Sequence, residues 1–139
     1  MRANSFAATV MLLIEFGLGV GVNLYAEVPA SDHGKGLVAA FGASVTGGPL
    51  VLILHALLGT LLIVTGVSVV VRASLARQLT LVAIATIALS AILLAWVSGG
   101  RFVGDMGNGA SLVMALATGV AVLCYATILF ITPMLHPHE

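Results

Sequence analysis

Four segments of this chain, residues 6–26, 50–71, 78–98 and 110–132, are each long enough to cross a lipid bilayer, and across all four the only formally charged side chain is Glu15. A helix rises 1.5 Å per residue, so about 20 mostly apolar residues suffice to span the hydrocarbon layer. Of the 139 residues, 60% are hydrophobic and 7% charged, which leaves too little polar surface to keep four such helices in water. Inside a bilayer every backbone N–H and C=O must be satisfied within the protein, and a helix does this alone. Membrane strands would be about 10 residues long with alternating polarity; these segments are longer and do not alternate. The expected fold is all-α: a single integral membrane domain, 1–139, built as a left-handed four-helix bundle. Met1-Arg2 and the apolar run ending at Leu24-Tyr25-Ala26 have the outline of a secretory signal. The run is too long for a signal core and carries Glu15, so it is read as a true span.

Orientation follows from Lys and Arg, which favour the cytoplasmic side of short loops. Arg2, Arg72 and Arg77 fall on one side; Lys35 and Arg101 fall on the other, beside Glu27, Asp32 and Asp105. Both termini are therefore expected in the cytoplasm, with the 27–49 and 99–109 loops outside. Tyr25 and Trp96 would lie near the outer interface and Tyr125 near the inner one, as aromatic anchors do. The 27–49 loop is longer than most connections. Its second half, 36–43, is apolar but too short to span, so it is expected to lie in the interface or cap the bundle. Gly47-Gly48-Pro49 breaks the chain before the second span, and the glycine-rich 99–109 segment reads as a flexible loop.

In lipid, helices associate through close backbone approach, and small residues mark the contacts. Gly17 and Gly21, Gly59 and Gly66, and Ala115 and Gly119 are the expected packing positions, supported by alanines on the third span. Such faces hold one chain together or bind another copy or other membrane subunits; Gly17/Gly21 is the expected intermolecular face. Glu15, near mid-span, is the residue that most needs an explanation, because intramembrane acids face protein and mark function. Gly19 and Asn23 continue its helix face. By depth alone, Asn23, His55, Glu15, Ser90 and Thr86 form a possible inward-facing polar ladder.

Three functional readings follow. The first is a small non-enzymatic membrane protein that assembles with itself or as an accessory subunit, using Glu15 as a buried polar site. The second is a proton- or cation-coupled carrier or channel; beside it, a carboxylate at the base of an outward-opening pocket would favour binding of a cationic or hydrogen-bonding apolar molecule. The third is a haem- or quinone-binding redox subunit. His55 would then be a haem b ligand, but the other histidines lie in a loop (His33) or the tail (His136, His138), leaving Met114 as its one plausible partner. No metal site is expected: His136 and His138 make at most a loose one, and Cys124 is a lone apolar thiol. Hydrolase, metalloprotease and phosphate-loop motifs are missing from the sequence. The only lysine, Lys35, is in a loop, which argues against a retinal Schiff base. Net charge is zero, so no nucleic-acid footprint exists. In general form the chain resembles small four-span proteins of the bacterial inner membrane.

Overall fold

A computed structural model describes residues 2–25, 34, 36–105 and 108–132. These residues form five helices: α1 (Arg2–Tyr25), α2 (Leu37–Gly47), α3 (Leu50–Leu75), α4 (Leu79–Asp105) and α5 (Asn108–Ile131). No strand occurs among them. All but α2 are long and apolar enough to cross a membrane. The architecture is therefore the expected all-α, four-transmembrane-helix bundle, with an added short helix.

The long helices run alternately up and down. α1 packs against α3 and α5, and α4 packs against α3 and α5, which closes the ring. The α4–α5 interface is the largest of any pair. The cause is legible in the side chains: Ala85 and Ala88 on α4 and Ala121 on α5 are fully buried, and alanine lets two backbones approach closely. Outside the ring the surface is apolar, with Leu79, Leu116, Leu123 and Phe130 among many exposed large side chains. That is the inverse of a water-soluble protein and fits a lipid solvent.

The core divides in two. Toward the end that holds Arg2 and Thr132, called here the termini end, Ala8, Leu12, Leu62, Val69, Ala85, Ala88, Ala121, Tyr125 and Ile128 pack into one continuous cluster drawn from all four long helices. Arg2 closes this end by donating from Nη1 to the Thr132 carbonyl at 3.0 Å, a cation placed at the last turn of α5 where the helix dipole favours it. Toward the other end, a smaller cluster of Val22, Ala40, Leu52, Phe102 and Val103 includes α2. α2 lies across α3 and α4. Pro49 then starts α3 as its N-cap residue, its carbonyl accepting from the Leu52 and Ile53 N–H groups. This end is the capped end.

Two connections differ from the sequence expectation. Residues 99–105, read as flexible loop, continue α4, and α5 begins at Asn108. Gly99 and Gly100 are notches instead of hinges. A side chain at Gly99 would meet Met114 Sδ at 3.4 Å, and one at Gly100 would collide with Leu37 of α2. The apolar 36–43 stretch does cap the bundle, but as a helix. The α3–α4 turn is tight: Arg77 adopts φ 52°, a left-handed conformation costing about 1 kcal/mol for a residue with a Cβ. Expectations for Glu27, Asp32, His33, Lys35, His136 and His138 lie outside the described residues.

Candidate functional site

Between the two cores the long helices enclose a cavity of about 240 Å³. Leu12, Leu62 and Ile92 border its floor, on the side of the termini-end core. Leu37, Phe41 and Ser44 of α2 border it from the capped end. The walls are mostly apolar, with Phe16, Phe41, Trp96 and Phe102 as aromatic surfaces and Glu15, Asn23, His55, Ser111 and Thr118 as polar ones. Its exposed lining residues, Phe16, Val20, Asn23 and Leu24 on α1 and Ala115 on α5, all lie on one side. The α3–α4 side is covered by α2. The cavity therefore opens laterally, between α1 and α5.

Glu15 is 8% exposed and turned into the protein. Its Oε1 lies 3.1 Å from His55 Nδ1. The approach is short enough for an ion pair when the imidazole is protonated. It does not meet the angular requirement of a ring N–H hydrogen bond, so Nδ1 has no aligned partner among the described residues. Glu15 Oε2 is buried with no partner at all among them. The contact is thus a close polar approach between α1 and α3, with hydrogen-bonding capacity left over on both sides.

Glycines explain how the two side chains reach each other. A Cβ at Gly59 would sit 3.0 Å from Glu15 Oε1, and a Cβ at Gly19 would sit 3.2 Å from His55 Cε1. Each helix has a glycine where the other's polar side chain arrives. Gly66 plays the same part for a different group: its Cβ position is 3.3 Å from the Tyr125 hydroxyl. Gly59 and Gly66 are contact positions, as expected, but they admit polar side chains from across the bundle. Gly21 touches Val51 of α3 at 3.4 Å. Gly17 and Gly119 have nothing within 4 Å of where a Cβ would be, and they and Ala115 are exposed. Those three do not pack the chain against itself.

The expected polar ladder is only partly assembled. Glu15 and His55 meet, and Asn23 borders the same cavity about 12 Å further along α1. Thr86 and Ser90 lie on the outward face of α4, away from the cavity. Thr86 Oγ1 donates to its own helix at the Val82 carbonyl, 2.8 Å away. Thr9, Ser44, Thr60, Ser68, Thr118 and Thr127 do likewise, each to the carbonyl four residues earlier. Without water a hydroxyl is satisfied most easily by the backbone beneath it, so depth in the membrane says little about which hydroxyls meet.

Two aromatic residues occupy places that differ from interfacial anchoring. Trp96 forms the cavity wall, stacked at a tilt on Phe41 (centroids 5.6 Å apart) and donating from Nε1 to Thr60 Oγ1 at 3.3 Å. Tyr125 is fully buried in the termini-end core. Trp96 and Phe41 line the site and Thr60 holds the indole from behind, a grouping that sequence reasoning missed because the three come from different elements. Met114 borders the cavity as His55 does. The Cε1 edge of His55, between its two ring nitrogens, is pressed against α1, which crowds the approach a haem iron would need. No cluster of three or more His, Cys, Asp or Glu side chains occurs among the described residues.

Comparison with protein-family models, curated proteins and solved structures gives no match.

Proposed function

We propose that this chain is a small, non-enzymatic, multi-pass protein of a cell membrane that binds a compact apolar molecule with a cationic or hydrogen-bond-donating head. The observation that carries this reading is the Glu15 carboxyl, which borders an aromatic-walled cavity with one oxygen unpartnered among the described residues. A buried carboxylate needs a countercharge or donors. His55 offers a countercharge through one poorly aligned contact, so capacity remains for a ligand. A ligand cation beside Glu15 would also meet the ring faces of Trp96 or Phe41, a contact worth roughly 0.5–2 kcal/mol. The positive-inside bias puts the termini end in the cytoplasm and the cavity in the outer half of the membrane.

The single tryptophan lies in the cavity wall, so its fluorescence reports the site directly. Benzyltrimethylammonium should change Trp96 emission saturably in purified protein, and Glu15→Gln should remove most of the response. Neopentylbenzene, its uncharged isostere, should bind the two proteins alike. Equal cation binding by both proteins, or no saturable change in either, refutes the reading.

A second reading, assembly with another copy or with larger membrane subunits, is supported by Gly17, Ala115 and Gly119. Gly17 and Gly119 stand on the outer surface with nothing within 4 Å of a Cβ position among the described residues, and Ala115 is exposed beside the cavity opening. The two readings are compatible, because Gly17 and Gly119 lie off the cavity lining. A carrier needs, beyond a binding site, a route to the opposite side of the membrane.

A further inference from the structure

One face of α3 connects the cavity to a second set of polar groups. Gly59, Leu62 and Gly66 follow one another at spacings of three and four, so they share a face. Glu15 Oε1 stands over Gly59, and the Tyr125 hydroxyl stands over Gly66. Seven residues of helix put these stations about 10 Å apart along the bundle. Between them is Leu62, 1% exposed, flanked by Leu12 from α1 and Ile92 from α4. Ile92 belongs to both sides: it borders the cavity, and its Cδ1 lies 3.6 Å from the Cβ position of Gly66. The partition between carboxyl and phenol is therefore one layer of aliphatic side chains.

Below that layer, buried polar atoms without partners recur. Tyr125 comes from α5 and reaches across to α3, and its hydroxyl has no hydrogen-bond partner among the described residues although the residue is 0% exposed. Ser5 Oγ on α1 and Thr132 Oγ1 at the end of α5 are likewise buried and unpartnered. Ser5 lies about 15 Å below Glu15, and Thr132 about 10 Å below Tyr125. An unpaired buried hydroxyl costs about 1–3 kcal/mol, and native proteins normally meet that need with a partner or a bound water. Three such groups thus occur at successive depths, the lowest on the residue whose carbonyl Arg2 holds, and each is suited to bind water.

We propose that these positions form a proton path from the cavity to the termini end of the bundle, with Leu12, Leu62 and Ile92 as its apolar gate. A proton held by the Glu15 carboxyl passes to water when the gate side chains rotate aside. That water protonates the Tyr125 oxygen on a lone pair as the phenol's own proton leaves to the next water. Ser5 relays in the same manner. Glu15, left as a carboxylate, takes its next proton from water in the cavity, and each hydroxyl keeps one proton and rotates back, so no group is consumed and no redox partner is needed. The titratable groups along the route are Glu15 on α1, His55 on α3, and Tyr125 with its half-buried neighbour Cys124 on α5; Arg2 and Arg72 stand at the termini end. α4 supplies none between Leu79 and Gly100. The inference shares Glu15 with the binding reading and would make the site a proton-coupled one.

The test uses the full chain in liposomes of phosphatidylcholine and phosphatidylglycerol that enclose the pH dye pyranine. An inside-negative potential is imposed with potassium and valinomycin. Leu62→Ala should speed acidification about tenfold over wild type, equivalent to about 1.4 kcal/mol off the barrier. Adding Tyr125→Phe, which removes only the hydroxyl, should return the rate to that of protein-free liposomes. Unchanged flux in Leu62→Ala, or flux in the double variant equal to that of Leu62→Ala, overturns the path. Ile92→Ala opens the same layer and carries the test if Leu62→Ala does not fold. Tyr125→Phe should keep the benzyltrimethylammonium titration of Trp96. Flux failure with a normal titration sinks the path alone; titration failure with normal flux sinks the binding reading alone.

Discussion

Glu15 and His55 form a pair whose members depend on each other more than on their surroundings. Each is mostly buried, and each faces a glycine on the opposing helix. Removing one member leaves the other without compensation in a place that water reaches poorly, at a cost of about 3–5 kcal/mol for pairs of this kind. His55→Ala should therefore lower thermal stability in detergent more than Glu15→Gln, since alanine removes the neighbour outright while glutamine still fills the place over Gly59 and can hydrogen-bond the imidazole. The double variant should recover most of the loss, and a double-mutant cycle measures the coupling. Additive losses would mean that the 3.1 Å approach carries no energy. Glu15 was legible in the sequence because a lone acid amid hydrocarbon is conspicuous, and so was its inward aim. Thr86 and Ser90 were not, because depth along a helix leaves rotation about its axis undetermined, and a hydroxyl such as that of Thr86 is satisfied by its own helix whichever way it faces.

The helices themselves were legible from length and polarity, but two short stretches were not, and both turn on the solvent. In water Gly99-Gly100 and Gly104 mark a loop; in lipid a glycine is also a packing residue, and α4 runs on through this region to Asp105. The notch at Gly100 receives Leu37 and so seats α2 against α4. Gly100→Ala would put a methyl group where the Leu37 side chain now lies, and overpacking of this kind costs about 1–3 kcal/mol. The expected outcome is a dislodged α2, unchanged content of the long helices by circular dichroism, and faster solvent quenching of Trp96 by acrylamide. Quenching identical to wild type would show that α2 does not shield the cavity. Gly48 constrains the same element from its other end, where a Cβ would run into the Ser44 carbonyl. α2 is thus bounded by close contact at both ends, which the small and apolar residues of 36–48 did not reveal.

As a whole, the bundle is tight at the termini end and hollow beneath α2 at the capped end. An even number of long helices puts both chain ends on one side, and Arg2 and Thr132 meet there. A fluorescent protein that folds only in the cytoplasm should glow when fused to either end and stay dark when inserted at the connection 106–107. The reverse pattern would invert the proposed topology and place the cavity in the inner half. Gly119→Leu adds bulk to a bare surface, so it should leave the monomer's fold intact and reduce the mass of the detergent-solubilised particle if that surface joins copies. An unchanged mass assigns Gly119 to lipid.

The lateral opening between α1 and α5 has one more consequence. Where the doorway of a site borders acyl chains, the concentration that governs occupancy is the one dissolved in the membrane. A molecule that partitions into the bilayer by about a thousandfold arrives with an advantage of about 4 kcal/mol before it touches the protein. Such a site can hold its guest firmly with weak intrinsic contacts, and titration in detergent will understate that grip by the ratio of the two partition coefficients.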